Sequence, residues 1–350
     1  MEKKTVLVTL PVTEEQKEYL EETAGERAAF LWKSAAAVRD GELEQADAII
    51  GNVPPERLAI CRRLTWLQLS SAGADAYTGA GVLPAGTELT NASGAYGPAV
   101  SEHMLALTFA VIRRFGQYGR NQVRHVWKAM GDVISVEHSV TAVLGLGDIG
   151  GAYARKMKAL GAYTIGVRRT EREKPEWLDE QYTLDALDKV LPRADIVAMA
   201  LPGSPETFHL MDERRLGLMR KGSCLINVGR GNAVDTAALR EALAAGRLAG
   251  AGLDVTDPEP LPADDPLWDF DNVVLTPHAA GWFFLPETLT RVVRISAGNL
   301  SAWLDGRPLT HRVSRTFGYC AGGAERPAAG IGQQRKWPAE QDAAGRMPET

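Results

Sequence analysis

Apolar residues recur along this chain in two patterns. Runs of four or five, bounded by small or polar residues, have the length of buried parallel strands; longer stretches with apolar positions three and four apart have the period of helices. Val6 to Leu10 is the first short run, and Thr13 to Ala24 the first helical stretch, opened by a Thr cap and closed near Gly25. Ala46 to Ile50 and Leu64 to Leu69 are further strands, the second followed by Ser70-Ser71-Ala72-Gly73-Ala74-Asp75. Gly94-Ala95-Tyr96-Gly97-Pro98 then punctuates the chain and marks a crossing between domains. The helix from about Ser101 to Gly116 is apolar nearly all round, so it lies between domains or on a dimer face.

The same alternation continues with strands at Val140 to Leu144, Tyr163 to Arg168, Asp195 to Leu201, Gly222 to Val228, Ala249 to Val255 and Asn272 to Thr276. A helix at Thr236 to Ala245, capped by Asp235, and an amphipathic one at Glu287 to Asp305 complete it. This is an α/β chain with parallel sheets. From 321 to 350 the pattern fails: half the residues are Ala, Gly or Pro, and the stretch reads as a disordered tail.

Composition narrows the function classes. At 350 residues, 45% hydrophobic and 24% charged, two soluble domains are expected. A net charge of -5 with dispersed Arg pairs gives no footprint for nucleic acid. No run has the length of a membrane span or a secretory signal. Cys61, Cys224 and Cys320 are far apart and in no metal-ligand spacing, which predicts free thiols, no metal site and a cytoplasmic protein.

The strongest local chemistry is Gly145-Leu146-Gly147-Asp148-Ile149-Gly150, between a strand and a helix. Gly145 permits the tight bend, Gly147 the approach of a pyrophosphate, and Gly150 the close packing of helix on strand. The helix N-terminus then faces the phosphates of a dinucleotide. About 20 positions beyond such a loop an acid usually takes the ribose hydroxyls of NAD. Arg168, followed by Arg169 and Thr170, stands there instead, a set suited to a 2'-phosphate and favouring NADP, with NAD also possible.

Three residues of reactive type follow three later strands: Arg230, Glu259 and His278. In an open α/β sheet that edge is where ligands bind. Reduction of a keto acid needs a cation for the carboxylate or carbonyl, a proton donor, and a group that keeps the donor charged. Arg230, His278 and Glu259 fit these roles, although spacing alone leaves Asp257 as a rival to Glu259. Ser71, Ala72 and Gly73 lie past a strand end, where open backbone N-H groups hold a carboxylate; a plain turn with Asp75 capping the next helix fits equally well. His103, inside a helix with no partner beside it, reads as structural.

The ordered set of Gly145 to Gly150, Leu201-Pro202 with Thr207, Asn227-Val228-Gly229-Arg230-Gly231, Leu253-Asp254-Val255 with Glu259-Pro260, and Thr276-Pro277-His278 resembles the D-isomer-specific 2-hydroxyacid dehydrogenase family. The resemblance implies hydride transfer between NAD(P)H and a 2-keto or D-2-hydroxy acid, acting on the CH-OH group. It implies Arg230 as the substrate cation, His278 as acid/base, Glu259 as its partner, and backbone amides of Ser71, Ala72 and Gly73 on the substrate carboxylate. Pro202, Thr207, Val228, Asp254 and Gly281 join the glycine loop around the cofactor, with Asp254 near the nicotinamide carboxamide. The implied fold is a Rossmann-like NAD(P)-binding domain (99-285) inserted into a flavodoxin-like substrate domain (1-98 plus 286-320), forming homodimers through the cofactor domain. Trp282, Phe283 and Phe284 are bulky, so substrate size does not carry over. Formate dehydrogenases have an amide where Glu259 stands; a dinucleotide-sensing corepressor or a phosphoglycerate-dehydrogenase-type enzyme are the remaining rivals.

Overall fold

The computed structural model describes residues 2-314; the expected tail at 321-350, residues 315-320 and Cys320 lie outside them. Two parallel sheets organise the described chain. The first carries β1 (Lys4–Val8), β2 (Ala28–Trp32), β3 (Ala48–Ile50), β4 (Trp66–Gln68) and β5 (Glu88–Thr90) in the order β2-β1-β3-β4-β5. That is the flavodoxin-like order, reversing direction between β1 and β3. Helices α1 (Glu14–Ala24) and α2 (Asp40–Gln45) cross between its strands. Thr13 and Gln16 form a reciprocal capping box at the start of α1, an arrangement that stabilises a helix by about 1 kcal/mol.

The chain then enters α3 (Gly97–Ile112) and α4 (Phe115–Val123). Helix α3 begins four residues before the expected Ser101, because Pro98 sits in the first turn, where its missing N-H costs nothing. It stops at Ile112 rather than Gly116, broken by the left-handed backbone of Arg114 (φ 62°).

The second sheet holds β6 (Val140–Leu144), β7 (Tyr163–Arg168), β8 (Glu180–Thr183), β9 (Ile196–Met199), β10 (Cys224–Asn227), β11 (Gly250–Leu253) and β12 (Val273–Leu275). Its order, β12-β11-β10-β9-β6-β7-β8, is doubly wound, with the reversal between β6 and β9. Helices α5 (Asp148–Ala159), α6 (Leu187–Val190), α7 (Glu213–Leu218) and α8 (Thr236–Ala244) cover it, and α9 (Pro286–Leu304) returns to pack on α1.

Helix α3 lies on α5, β10 and β11. A Cβ on Gly252 would be 3.0 Å from the Leu107 side chain and one on Gly250 2.9 Å from that of Val111, so the glycines of β11 let the helix sit close. Its buried Met104, Leu107 and Val111 belong to one apolar cluster that also contains Val6, Val8, Trp66 and Val292 from the first sheet and α9. The apolar helix is therefore packed on α5 and the second sheet, and the cluster it belongs to runs on into residues of the first sheet and α9. Among the described residues no helix is long and apolar enough to cross a membrane, and no group of three or more His, Cys, Asp or Glu is placed to hold a metal ion.

Candidate active site

Gly145 ends β6 with φ 94°, and a Cβ there would lie 2.6 Å from the Ala200 carbonyl oxygen. The turn thus packs against the end of β9, at the reversal point of the sheet. A Cβ on Gly150 would collide with the Gly145 carbonyl, whereas the space around Gly147 is open to at least 4 Å. No side chain caps α5, so its first N-H groups face that open space. These residues fit a dinucleotide. The Asp148 carboxylate is turned toward Gly97: a Cβ there would be 2.5 Å from Asp148 Oδ1. Ile149 is half-buried against the main apolar cluster.

The side chain of Arg168, half-buried at the end of β7, makes no hydrogen bond or ion pair among the described residues. Burial lowers its pKa, and the like charge of Arg172 lowers it further. Arg169, Thr170 and Arg172 are exposed in the segment that follows. Arg172 was not among the residues expected from sequence, because it lies in a polar stretch without periodicity.

The loop after β9 is shaped by Thr207, which is buried and donates its hydroxyl proton to Pro202 O (2.9 Å) while accepting from Ser204 N (3.0 Å). Val228 is buried at the end of β10, its N-H on Met199 O.

The neighbouring strands β10, β11 and β12 end in the segments that carry Arg230, Glu259 and His278. His278 Nδ1 is 2.6 Å from Glu259 Oε1, while the Asp257 carboxylate has no such contact; the geometry selects Glu259. No protein group engages the other ring nitrogen, Nε2, among the described residues. The His278 backbone is left-handed (φ 51°) and is held by its N-H to Asp254 O at 2.7 Å.

Asp254 is the anchor of this loop. Its buried carboxylate accepts from Ala279 N (2.9 Å), Ala280 N (3.3 Å) and Thr276 Oγ1 (2.6 Å). His103 donates from Nε2 to Thr276 Oγ1 at 2.9 Å and lies 3.5 Å from Asp254 Oδ1. It thus buttresses the loop that bears His278, a position no local pattern reveals. Gly281 follows, with Tyr96 packed on it: a Cβ at Gly281 would be 3.5 Å from the ring.

From the first sheet, the loop after β4 approaches the same place. Asn52 accepts from Ser70 N (2.9 Å), Asn91 donates to Ala72 O (2.6 Å), and Tyr96 donates its hydroxyl to Ser70 O (2.5 Å). Burial pushes the Tyr96 phenol well above its ordinary pKa, keeping it a donor. With the loop held from these three sides, the N-H groups of Ser71, Ala72 and Gly73 have no acceptor among the described residues. Such a row of open amides suits a carboxylate. Arg230 reaches this loop: a Cβ on Gly73 would overlap its Nη2 and lie 3.0 Å from Cζ.

The pattern of the D-isomer specific 2-hydroxyacid dehydrogenase NAD-binding domain matches residues 105-280. The chain belongs to the D-isomer-specific 2-hydroxyacid dehydrogenase family. It is an oxidoreductase that uses a nicotinamide dinucleotide on 2-hydroxy acids. A glyoxylate reductase of Korarchaeum cryptofilum is 36% identical over 229 residues, 63% of this chain and 67% of that protein. A structure of a D-isomer specific 2-hydroxyacid dehydrogenase family protein from Aeromonas salmonicida superposes with a TM-score of 0.78 at 30% identity, covering 90% of this chain and 100% of the other. The D-isomer specific 2-hydroxyacid dehydrogenase from Xanthobacter autotrophicus Py2, solved with NADPH and MES, gives 0.76 at 28% identity over 91% of this chain and 100% of that one. For this dehydrogenase, then, the overall fold is that of solved relatives.

Proposed function

We propose that this dehydrogenase is an NADPH-preferring reductase of 2-keto acids. The observation that carries the cofactor preference is Arg168, partly buried with no counter-ion and with Arg172 as its electrostatic neighbour. A guanidinium without a counter-ion, with a second cation near enough to perturb it, suits a 2'-phosphate. The NADPH found with the Xanthobacter protein supports the reading. Arg168→Asp is expected to raise KM for NADPH at least tenfold and to improve use of NADH, measured as absorbance decay at 340 nm with glyoxylate, hydroxypyruvate and phenylpyruvate in parallel. An unchanged NADPH/NADH ratio in the variant sinks the assignment.

When bound, the nicotinamide supplies the two electrons that reduce the C2 carbonyl. The open amides of Ser71, Ala72 and Gly73 hold the substrate carboxylate, and Arg230 polarises the carbonyl. His278 donates a proton from Nε2 to the carbonyl oxygen, and Glu259, hydrogen-bonded at Nδ1, orients the ring. In the oxidative direction the neutral ring accepts the proton. This reading divides the chain into a substrate unit, 1-98 with 286-320, and a cofactor unit, 99-285. It is supported by Asn299 of α9, whose amide donates to Gln68 Oε1 of β4 at 2.8 Å.

The protein is further proposed to act as a cytoplasmic homodimer. Cys61 and Cys224 are buried and unpaired, and burial pushes their thiols up to about 11 and about 12. Along and after α4, Phe115, Tyr118, Val123, Val126 and Trp127 are exposed, Trp127 fully. A stripe of this kind on the cofactor unit is suited to a second copy of the chain. Sedimentation equilibrium is expected to give twice the 37.8 kDa chain mass, shifting toward the monomer in Trp127→Glu; a wild-type monomer at micromolar concentration rejects it.

A further inference from the structure

Asp75 lies in the loop after β4, and Arg230 in the loop after β10. Asp75 is not the cap of the short 3-10 turn it opens, since Ala74 holds that position without a side-chain bond. Its carboxylate crosses to the other sheet, where Oδ2 accepts from Arg230 Nε at 2.6 Å. The guanidinium is held at a second point, because Nη1 donates to Gly229 O at 2.7 Å. Gly203, in the loop after β9, floors the pair: a Cβ there would be 3.3 Å from Asp75 Oδ2 and 3.4 Å from Arg230 Cγ.

A guanidinium has five N-H groups in one plane. With Nε engaged by Asp75 and one Nη1 proton by Gly229, its rotation about the Cδ-Nε bond is fixed. Nη2 is then delivered against Gly73, beside the amides that have no acceptor. The side-on edge of the fork is closed by Asp75, and the Nη end is what remains for a ligand.

We propose that Asp75 is a positioning residue: by pinning Arg230 Nε across the two sheets it aims the Nη end of the guanidinium at the carboxylate and carbonyl of the keto acid. The inference rests on the reading of Arg230 as the substrate cation. It separates two properties of Asp75, its acceptor oxygen and its charge. The acceptor sets the geometry, whereas the charge offsets part of the attraction between Arg230 and an anionic substrate. An amide in its place keeps the first and removes the second.

The test uses the full chain with NADPH, glyoxylate as substrate and oxamate as competing carboxylate. Asp75→Ala is expected to raise both KM for glyoxylate and Ki for oxamate about tenfold, as lost orientation does. The Kd for NADPH, read by fluorescence, stays at the wild-type value. Asp75→Asn stays within about threefold of wild type in KM, because its amide oxygen still accepts from Nε. In an Arg230→Gln background Asp75→Ala adds nothing, because residues acting through one another are not additive.

Asp75→Ala with wild-type KM and Ki, beside a strongly impaired Arg230→Gln, overturns the role of Asp75 and leaves that of Arg230 standing. So does an Asp75→Ala penalty of equal size in both backgrounds, which places its effect on the loop rather than on Arg230. If Arg230→Gln itself reduces glyoxylate at the wild-type rate, the reading of Arg230 fails, and this inference with it.

Discussion

His278→Asn is expected to lower kcat for keto-acid reduction by about two to four orders of magnitude, the range over which a positioned acid contributes. NADPH affinity should remain at the wild-type value. The reason lies in how the residue is held. Its ring meets Glu259 through Nδ1 at 2.6 Å and leaves Nε2 open, so the side chain has one partner that orients it and one nitrogen available to a substrate. Its backbone is held independently, by Asp254, whose carbonyl takes the His278 N-H and whose carboxylate takes those of Ala279 and Ala280. Asn is the suitable replacement because φ is 51°, a left-handed conformation that Asn tolerates better than most residues. Glu259→Gln keeps the shape of the pair and removes the charge on the carboxylate that meets Nδ1; its deficit should be smaller, about tenfold. Stopped-flow and steady-state rates decide this. An Asn variant that keeps a tenth of the wild-type kcat, or a Gln variant with the wild-type kcat, removes His278 or Glu259 from these roles.

The contrast between those two residues and Asp75 shows what one sequence makes legible. Strand-glycine-helix at 140-161 was readable because every signal there is local: an apolar run, glycines at fixed offsets, and a helix. The same holds for α8, with Asp235 accepting from Ala237 N and Ala238 N as its cap. Strands β2, β5 and β8 fall outside the strands that the apolar runs predict. β8 reads Glu180-Gln181-Tyr182-Thr183 at the sheet edge, half-buried throughout, so it carries no apolar run to find. At the candidate site, strand ends pointed to Arg230, Glu259 and His278, but spacing left Asp257 open, and only the hydrogen bond on His278 Nδ1 separates the two acids. Asn52, Asn91, His103 and Arg172 had no local signal at all. Asp75 stands in a turn that the sequence marks, yet its partner is Arg230, 155 positions away, and a contact of that kind has no counterpart in local periodicity.

Two alanine substitutions in the glycine turn, at Gly147 and Gly150, should fail in different ways. At Gly150 a Cβ would collide with the Gly145 carbonyl oxygen, lie 3.0 Å from its carbon and 3.3 Å from Val143 Cγ1. The first two of these are backbone, so α5 must lift from β6 or the turn must open. Gly150→Ala is therefore expected to cost about 2–3 kcal/mol of folding stability, the range of overpacking, and to weaken NADPH binding at least tenfold as the helix N-terminus moves. At Gly147 nothing lies within 4 Å of a Cβ, and φ is -77°, a value any residue adopts. Gly147→Ala should leave the unfolding midpoint unchanged. Its methyl group projects into the space that a pyrophosphate must enter to reach the first N-H groups of α5, so dinucleotide affinity alone should fall. Urea denaturation without ligand and NADPH titration by fluorescence measure the two quantities separately. If Gly147→Ala binds NADPH as wild type does, the open space beside it is not the pyrophosphate site. If it is destabilised as much as Gly150→Ala, the glycine there serves the fold rather than the ligand.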